Sequence, residues 1–349
     1  MDAAGPRRIT FITNPDDCNL ACRMCREHSP LRRGTRGRAP IGRAPMGRPR
    51  AARRRLASTL VERVLAERAG SLLREVIPST QGEPLLWSGL DRLIDVCAEM
   101  GLSLNVTTNG TFPGRGPEAW AERLVPAASD VKVSWNGASA GTYESIMGGS
   151  RFGAALEHLR RFLRIRDARR EAGACACRVS FQMTAQSENV GELPAIVRLA
   201  ASLGVERLKV NHLQVRFPEL ATSDLRRGRE GRARWNHAVE QAREAAEAHP
   251  LPWGGRVELQ NLNPLPLEGE DPPFGPCPFL GREAWVTAGA RFAPCPAPAG
   301  LDGRLGDLGS LEEASLGEIW ASERYRELVT GYAERPECQR CPMRRAGGL

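Results

Sequence analysis

Two patterns of apolar positions alternate along the first 215 residues. Short stretches rich in Val, Ile, Leu and Thr predict strands, and the stretches between them, whose apolar residues recur every three or four positions, predict helices. The predicted strands are 8–14, 73–79, 103–108, 130–135, 178–184 and 206–212, and the predicted helices are 56–69, 90–100, 117–124, 140–170 and 191–203. This alternation predicts a parallel sheet in an α/β fold, here a partial (β/α)6 barrel, whose chemistry lies on the loops after the carboxyl ends of the strands.

The pattern changes after residue 215. Residues 221–249 predict one long polar helix, and the stretch rich in Pro and Gly that follows predicts a linker. From Cys277 onward, short strand and turn patterns and a helix at 316–329 predict a second, small domain with little core of its own. We therefore expect a barrel at 1–215, a helix and linker at 216–270 and a C-terminal domain at 271–349.

Composition narrows the functional classes. The chain has 349 residues, no apolar run of membrane-spanning length and no apolar signal segment, which predicts a cytoplasmic protein without a membrane partner. The net charge is +8, but ten arginines lie at 32–55, and without them the net charge is −2. We therefore expect no nucleic-acid partner, and we interpret 31–55 as a flexible insertion. Ten cysteines in a reducing compartment are more typical of metal binding or catalysis than of disulfides.

The first group of cysteines follows the first predicted strand. Cys18, Cys22 and Cys25 have the spacing C-x3-C-x2-C. Three thiolates suit three corners of a [4Fe–4S] cluster, whereas a structural zinc site needs four ligands. The spacing therefore predicts a cluster with one iron open to a small molecule.

Further motifs follow the next predicted strands. Gln81-Gly82-Glu83-Pro84 follows the second strand, Thr107–Gly110 the third and Ser134–Gly137 the fourth. With the cysteine loop, these motifs resemble the radical SAM superfamily, although Gln81 stands where that family has the first Gly of GGEP. The resemblance implies S-adenosylmethionine (SAM) on the open iron and its cleavage to a 5′-deoxyadenosyl radical. It also implies a set of SAM contacts, namely Met24, Gly82, Glu83, Pro84, Asn109, Ser134 and Gln182.

The second group of cysteines lies in the C-terminal region. Cys277, Cys295, Cys338 and Cys341 suit either zinc or a fully ligated [4Fe–4S] cluster. The hairpin-like stretch 284–295 and the final Cys-x2-Cys-Pro resemble the SPASM/twitch extension, in its version with one auxiliary cluster. Their spacing is similar to that of the dehydrogenase type that oxidises 2-deoxy-scyllo-inosamine in the butirosin pathway. The resemblance implies a second [4Fe–4S] cluster that accepts or relays one electron, with zinc as the alternative.

The loop after the sixth predicted strand carries candidates for the substrate side. His212 and Glu219 are candidate bases for the proton lost in an oxidation, and Arg216 is a candidate for holding an anionic group, although a structural role for His212 is equally open. Our main expectation is a radical SAM oxidoreductase of natural-product biosynthesis. It would oxidise a small polar substrate such as an aminocyclitol, sugar or nucleoside, with flavodoxin or ferredoxin as electron donor.

Other functions share these motifs. One alternative is maturation of a ribosomally made peptide by cross-linking, epimerisation or oxidation, although only 17 residues precede Cys18, where such enzymes often carry a peptide-recognition domain. A radical epimerase or decarboxylase is another. In an epimerase Cys175 or Cys177 could return a hydrogen atom, but both precede the fifth strand, at the end opposite the expected site, which favours packing. A non-catalytic iron–sulfur or zinc module is the third. We expect Cys97 and Trp285 to be packing residues.

Overall fold

The computed structural model describes residues 5–32, 53–68, 71–78, 81–268, 275–341 and 343–344. Most of the predicted insertion at 31–55 lies outside the described residues. The strands are β1 Arg8–Phe11, β2 Glu75–Pro78, β3 Ser103–Thr108, β4 Ala128–Ser134, β5 Arg178–Ala185, β6 Arg207–His212, β7 Glu258–Gln260, β8 Glu283–Val286 and β9 Phe292–Ala293. All six predicted strands of the barrel are therefore present.

The α-helices agree with the predictions in place but not always in number. They are α1 Ser58–Glu67, α2 Leu90–Glu99, α3 Gly116–Leu124, α4 Ala140–Ile146, α5 Phe152–Glu171, α6 Leu193–Leu203, α7 Gly228–Ala248, α8 Pro298–Leu301, α9 Leu316–Ala321, α10 Glu323–Gly331 and α11 Pro336–Gln339. The single helix predicted at 140–170 is two helices, because Gly149 adopts a positive φ of 92° between them. The helix predicted at 316–329 is also two, because the Ser322 hydroxyl accepts a hydrogen bond from the Tyr325 N–H and caps α10.

The chain forms two compact units. Unit A comprises residues 1–15, 54–105 and 270–349, and unit B comprises residues 16–53 and 106–269. The C-terminal region therefore shares a unit with the first two strands, although more than 180 residues of sequence separate it from them. The first cysteine loop belongs to unit B and the second group of cysteines to unit A.

In unit A the strand order is β3-β2-β1-β8-β9. Strands β1 to β3 are parallel, and β8 joins them in parallel with Arg8 opposite Glu283 and Thr10 opposite Trp285. β9 then pairs with β8 in antiparallel orientation, which confirms the predicted hairpin at 284–295. The C-terminal region thus acquires its core by extending the sheet that begins with β1.

In unit B the strand order is β4-β5-β6-β7, and all three pairings are parallel. β7 lies inside the stretch that the sequence predicted to be a linker, so that prediction is wrong at 258–260. The pairing with β6 places Leu259 opposite Leu208 and leaves it only partly exposed. The strand pairings confirm an α/β fold with a mostly parallel sheet.

Within the described ranges, no helix is long and apolar enough to cross a membrane.

Candidate functional site

The loop that carries the first three cysteines is held in place by hydrogen bonds from its main-chain N–H groups. The Ala21 N–H donates to the Gly148 carbonyl at 2.7 Å, and the Arg23 N–H donates to the Ile146 carbonyl at 2.9 Å. Both acceptors lie at the end of α4 or just after it. Cys18, Cys22 and Cys25 are all partly exposed and none is in a disulfide.

Cys18 receives hydrogen bonds from amide groups. The Leu20 N–H donates to its Sγ at 3.4 Å, and Asn109 Nδ2 donates to the same sulfur at 3.8 Å. Donors directed at a sulfur stabilise a thiolate, which is the form that binds iron. The residues around Cys18 therefore fit a cluster ligand.

Asn109 is tied to the cysteine loop by several hydrogen bonds. Its Nδ2 also donates to Asn19 Oδ1 at 2.9 Å, and its Oδ1 accepts from the Thr111 N–H at 3.0 Å. The side chain is buried. The sequence predicted Asn109 as a SAM contact; its observed partners give it a role in holding the loop around Cys18.

Arg216, a predicted substrate residue, acts electrostatically on the cysteine loop. Burial raises the pKa of the Cys25 thiol above its usual value. Hydrogen bonds from the His28 and Glu27 main chain and the charge of Arg216 act in the opposite direction and reduce this rise. Arg216 Nη2 also donates to Gln214 Oε1 at 2.8 Å. The guanidinium thus places a positive charge close to the third cysteine.

The other predicted substrate residues have different surroundings. The His212 ring, at the end of β6, packs against the Trp235 ring with 4.6 Å between the ring centroids. Glu219 is exposed in the 3-10 turn Pro218–Ser223. Packing of His212 against a fully buried Trp235 supports a structural contribution by His212.

Ser134 and Gln182, both predicted SAM contacts, lie side by side. They are register partners at the end of β4 and within β5, so their side chains share one face of the sheet. Both are partly exposed, as is Met24 in the cysteine loop. The same face is polar throughout unit B, with Asp130, Lys132, Arg178, Ser180, Thr184, Arg207, Lys209, Asn211, Glu258 and Gln260 in register on its other positions.

The GEP motif of unit A holds a buried carboxylate. Gly82 adopts a positive φ of 77°, and Glu83 is 1% exposed. One carboxylate oxygen accepts from the Leu85 N–H at 3.2 Å and caps the short turn that begins at Pro84. The Glu83 carbonyl accepts from Asn14 Nδ2 at 2.8 Å. A buried carboxylate attracts a cationic group, which fits the ammonium of an amino acid.

The second group of cysteines surrounds one cavity. Cys277, Cys295, Cys338 and Cys341 line a single cavity in unit A. The Leu280 N–H donates to Cys277 Sγ at 3.5 Å. A Cβ at Gly300 would lie 2.6 Å from Cys295 Sγ, so any other residue at this position would displace the sulfur. Among the described residues, no three His, Cys, Asp or Glu side chains converge as a site for one metal ion.

The remaining cysteines have no such surroundings. Cys97 is buried in α2, and burial raises the pKa of its thiol to about 12. Burial likewise raises the pKa of Cys177 to about 12, and Cys175 is exposed. The thiols of Cys97 and Cys177 therefore stay protonated at neutral pH, as expected for packing residues.

Glu188 is a residue that the sequence analysis missed. Its carboxylate accepts from Arg23 Nη1 at 2.8 Å and from the Ser223 hydroxyl at 2.7 Å. It thereby connects the cysteine loop to the segment after β6 that carries Arg216 and Glu219. No sequence signal marks this contact, because Arg23 and Glu188 are 165 residues apart.

Known structures with the same fold cover nearly the whole chain. The crystal structure of Streptococcus suis SuiB superposes with a TM-score of 0.63 at 14% identity, over 94% of this chain and 68% of that chain. Native anSMEcpe with bound AdoMet and Cp18Cys peptide gives 0.63 at 13% identity, over 97% and 86%. Residues 277–342 match the family model SPASM, described as an iron-sulfur cluster-binding domain. The chain shares the fold of these structures, and residues 277–342 form a SPASM domain.

Relatives in sequence indicate a type within this fold. The PqqA peptide cyclase of Methylobacterium sp. (strain 4-46) is 27% identical over 294 residues, which are 81% of this chain and 69% of the relative. BtrN in complex with AdoMet and 2-DOIA superposes with a TM-score of 0.44 at 13% identity. The SPASM description names iron–sulfur, which favours a cluster over the zinc alternative at the second group of cysteines.

Proposed function

We propose that this protein is a radical SAM enzyme that modifies a peptide. The observation that carries the proposal is the similarity to PqqA peptide cyclases over 81% of the chain. Structures related in fold include SuiB bound to its precursor peptide SuiA. This evidence favours peptide maturation, the sequence-based alternative, over our main expectation of a small polar substrate.

The initiating chemistry belongs to the first cysteine loop. Cys18, Cys22 and Cys25 are the proposed ligands of a [4Fe–4S] cluster, and the amide donors around Cys18 fit a thiolate ligand. With the cluster and SAM bound, the site supplies a 5′-deoxyadenosyl radical that removes a hydrogen atom from the substrate. Flavodoxin or ferredoxin is the proposed electron donor.

The polar residues near the strand ends are the proposed contacts of SAM. The Glu83 carboxylate, which accepts from the Leu85 N–H, suits the methionyl amino group as a buried anion suits a cation. Ser134 and Gln182, paired in register, offer a hydroxyl and an amide on one face. Met24, Gly82 and Pro84 complete the proposed set, and the partners of Asn109 make it a positioning residue for the loop.

The four cysteines of the SPASM domain are the proposed ligands of an auxiliary [4Fe–4S] cluster. They share one cavity, and Gly300 leaves room for Cys295 to face it. A cluster with all irons ligated by protein accepts or relays one electron, which suits an oxidative outcome. Arg216 is the proposed partner of an anionic substrate group, while His212 and Glu219 remain candidate bases.

Peptide turnover under anaerobic conditions tests this function. The reconstituted protein, SAM and dithionite are incubated separately with a PqqA peptide, the SuiA peptide, an aminocyclitol and a nucleoside. We expect formation of 5′-deoxyadenosine to rise with a peptide, and that peptide to lose two hydrogen atoms or to gain deuterium from deuterated water. The variant with Cys18, Cys22 and Cys25 changed to Ala is the control. Turnover of the aminocyclitol or nucleoside, with every peptide unchanged, would contradict the proposal.

A further inference from the structure

Two buried polar atoms on neighbouring strands of unit A have no hydrogen-bond partner among the described residues. They are the hydroxyl of Thr10 on β1 and the indole N–H of Trp285 on β8. Thr10 is 0% exposed and Trp285 is 6% exposed. Buried polar groups are paired in the large majority of cases, so each unpaired one requires an explanation. Here the two residues are also register partners.

Both side chains face the same apolar patch. Residues paired in register on parallel strands point to one face of the sheet. Trp285 packs with Ile12, which lies two residues beyond Thr10 on the same face, and with Ala293 of β9. The partly exposed Leu301 covers this patch. The two polar atoms therefore lie at an apolar patch that offers them no hydrogen-bond partner.

The position of the pair within unit A relates it to both proposed cofactor sites. Asn14, four residues after Thr10, donates to the carbonyl of Glu83 in the GEP motif. On the other side, Leu301 follows Gly300, which abuts the sulfur of Cys295. Thr10 is therefore four residues from a direct contact with the GEP motif, and Trp285 packs near Leu301, which is adjacent in sequence to the residue that contacts Cys295.

The charges on the neighbouring register row restrict what the pair can bind. Arg8 is paired with both Glu75 and Glu283, two residues before Thr10 and Trp285 on the same face. Two carboxylates around one guanidinium leave this row with a net negative charge, which disfavours a carboxylate ligand. An indole N–H only donates, and a hydroxyl also donates, so the pair suits one neutral oxygen with two lone pairs.

We propose that Thr10 Oγ1 and Trp285 Nε1 bind a carbonyl oxygen of the substrate's amide backbone, which reaches them when the Leu301 side chain moves aside. The proposal rests on the proposed peptide-modifying function, because a peptide offers such a carbonyl at every residue. The two donors fix the substrate chain by its main chain rather than by its side chains. They hold the substrate in place and take no part in the transfer of hydrogen or electrons.

Binding of a minimal amide tests the site without a known substrate. The reconstituted full chain is labelled with ¹⁵N-tryptophan and titrated with N-acetylalanine N′-methylamide, and in parallel with acetate. The Trp285 indole signal is identified by its loss in Trp285→Phe. We expect this signal to shift with the amide and not with acetate, and we expect Thr10→Val to raise the dissociation constant of the amide about tenfold. A Trp285 indole signal that does not shift with the amide, or that shifts with acetate instead, would overturn the proposal.

Stability provides a second measurement that does not depend on any ligand. Trp87 is a buried tryptophan of the same unit whose Nε1 donates to the Leu56 carbonyl at 3.0 Å, which makes Trp87→Phe the matched control. Removal of the Trp87 indole N–H leaves the Leu56 carbonyl without its donor and lowers stability. Removal of the Trp285 indole N–H breaks no hydrogen bond within the described residues. We expect a lower urea midpoint for Trp87→Phe and an unchanged or higher one for Trp285→Phe and Thr10→Val. A midpoint for Trp285→Phe as low as that of Trp87→Phe contradicts the absence of an internal partner.

The outcomes separate this inference from the proposed function. If a peptide is modified by the wild type and with the same KM by Thr10→Val and Trp285→Phe, the inference fails and the function stands. If no peptide is modified although the amide shifts the Trp285 signal, the function fails and the carbonyl site stands.

Discussion

The carboxylate of Glu188 lies 2.8 Å from the guanidinium of Arg23. Arg23 is one of the two residues between the second and third cysteines of the first loop. The same carboxylate oxygen accepts from the Ser223 hydroxyl, and the Ser187 N–H donates to the Ser223 carbonyl at 3.0 Å. One acidic side chain therefore connects the cysteine loop to the segment that carries Arg216 and Glu219. Its position after β5 places it at the carboxyl end of the sheet, where the chemistry of such folds is found.

Glu188→Gln should weaken this connection in a way that depends on pH. Burial raises the pKa of Glu188, but hydrogen bonds from Ser223 and Ser187 and the charge of Arg23 outweigh it, so the pKa is lowered in the folded protein. The ion pair therefore contributes stability above the usual pKa of a glutamate and loses it as the pH falls through the lowered value. We expect Gln to cost about 1 kcal/mol or less at pH 7. In urea unfolding, the difference from the wild type should shrink toward acidic pH.

A control for Glu188→Gln is Glu240→Gln, an exposed position on α7. This variant should unfold as the wild type does at every pH. If Glu188→Gln and Glu240→Gln behave alike, the contact with Arg23 contributes nothing. A ratio of 5′-deoxyadenosine to modified substrate that rises only in Glu188→Gln would show that the connection also serves turnover.

Asn109→Ala should impair the first cluster. The substitution removes the donor to Cys18 and Asn19 and leaves Thr111 without its acceptor. We expect lower iron content after reconstitution and an altered EPR spectrum of the reduced first cluster, because hydrogen bonds to a ligating sulfur tune the potential. Asn105→Ala is the control, since Asn105 is buried to the same 8% exposure but donates to Glu75 instead. Equal iron loss in both variants would indicate general destabilisation.

Gly300→Ala should affect the auxiliary cluster alone. The added Cβ would lie 2.6 Å from Cys295 Sγ and 2.7 Å from its carbonyl oxygen, so the cysteine must move away. In a background with Cys18, Cys22 and Cys25 changed to Ala, where only the second group of cysteines remains for a cluster, we expect most of the bound iron to be lost. Gly331→Ala, at the end of α10 with open space around it, should keep its iron. Retention of iron in Gly300→Ala would count against Cys295 as a ligand.

Ser134→Ala and Gln182→Leu should weaken the binding of SAM. Each removes one polar group from the register pair, and the loss of a hydrogen bond to a ligand typically costs about 1 kcal/mol, or about fivefold in affinity. Equilibrium binding of SAM to the reconstituted protein measures the effect. Thr184→Val lies two residues beyond Gln182 on the same strand face and serves as the comparison. An unchanged dissociation constant for SAM in both main variants would remove these residues from the proposed set.

Much of unit B was predictable because its signals are local. The strand that became β5 was predicted to within one residue, since Val and Thr in a run bounded by turn residues reflect the geometry of a buried strand. The prediction that 140–170 is one helix was wrong at a place where only the positive φ of Gly149 breaks the helix. The missed strand β7 has three residues, too few for a periodic pattern, and its register partners in β6 are 51 residues earlier in the sequence.

The sequence by itself determined the α/β class, the alternation of strands and helices and the two groups of cysteines, because spacing and periodicity are properties of neighbouring residues. Only the tertiary structure joined Arg8 to Glu283 across 275 residues and thereby made the C-terminal hairpin part of the first sheet. That same pairing set Thr10 beside Trp285, and folding of unit B set Glu188 beside Arg23. Such contacts depend on which strands become neighbours, and the free energy that decides this comes from burial of the whole core rather than from any local pattern.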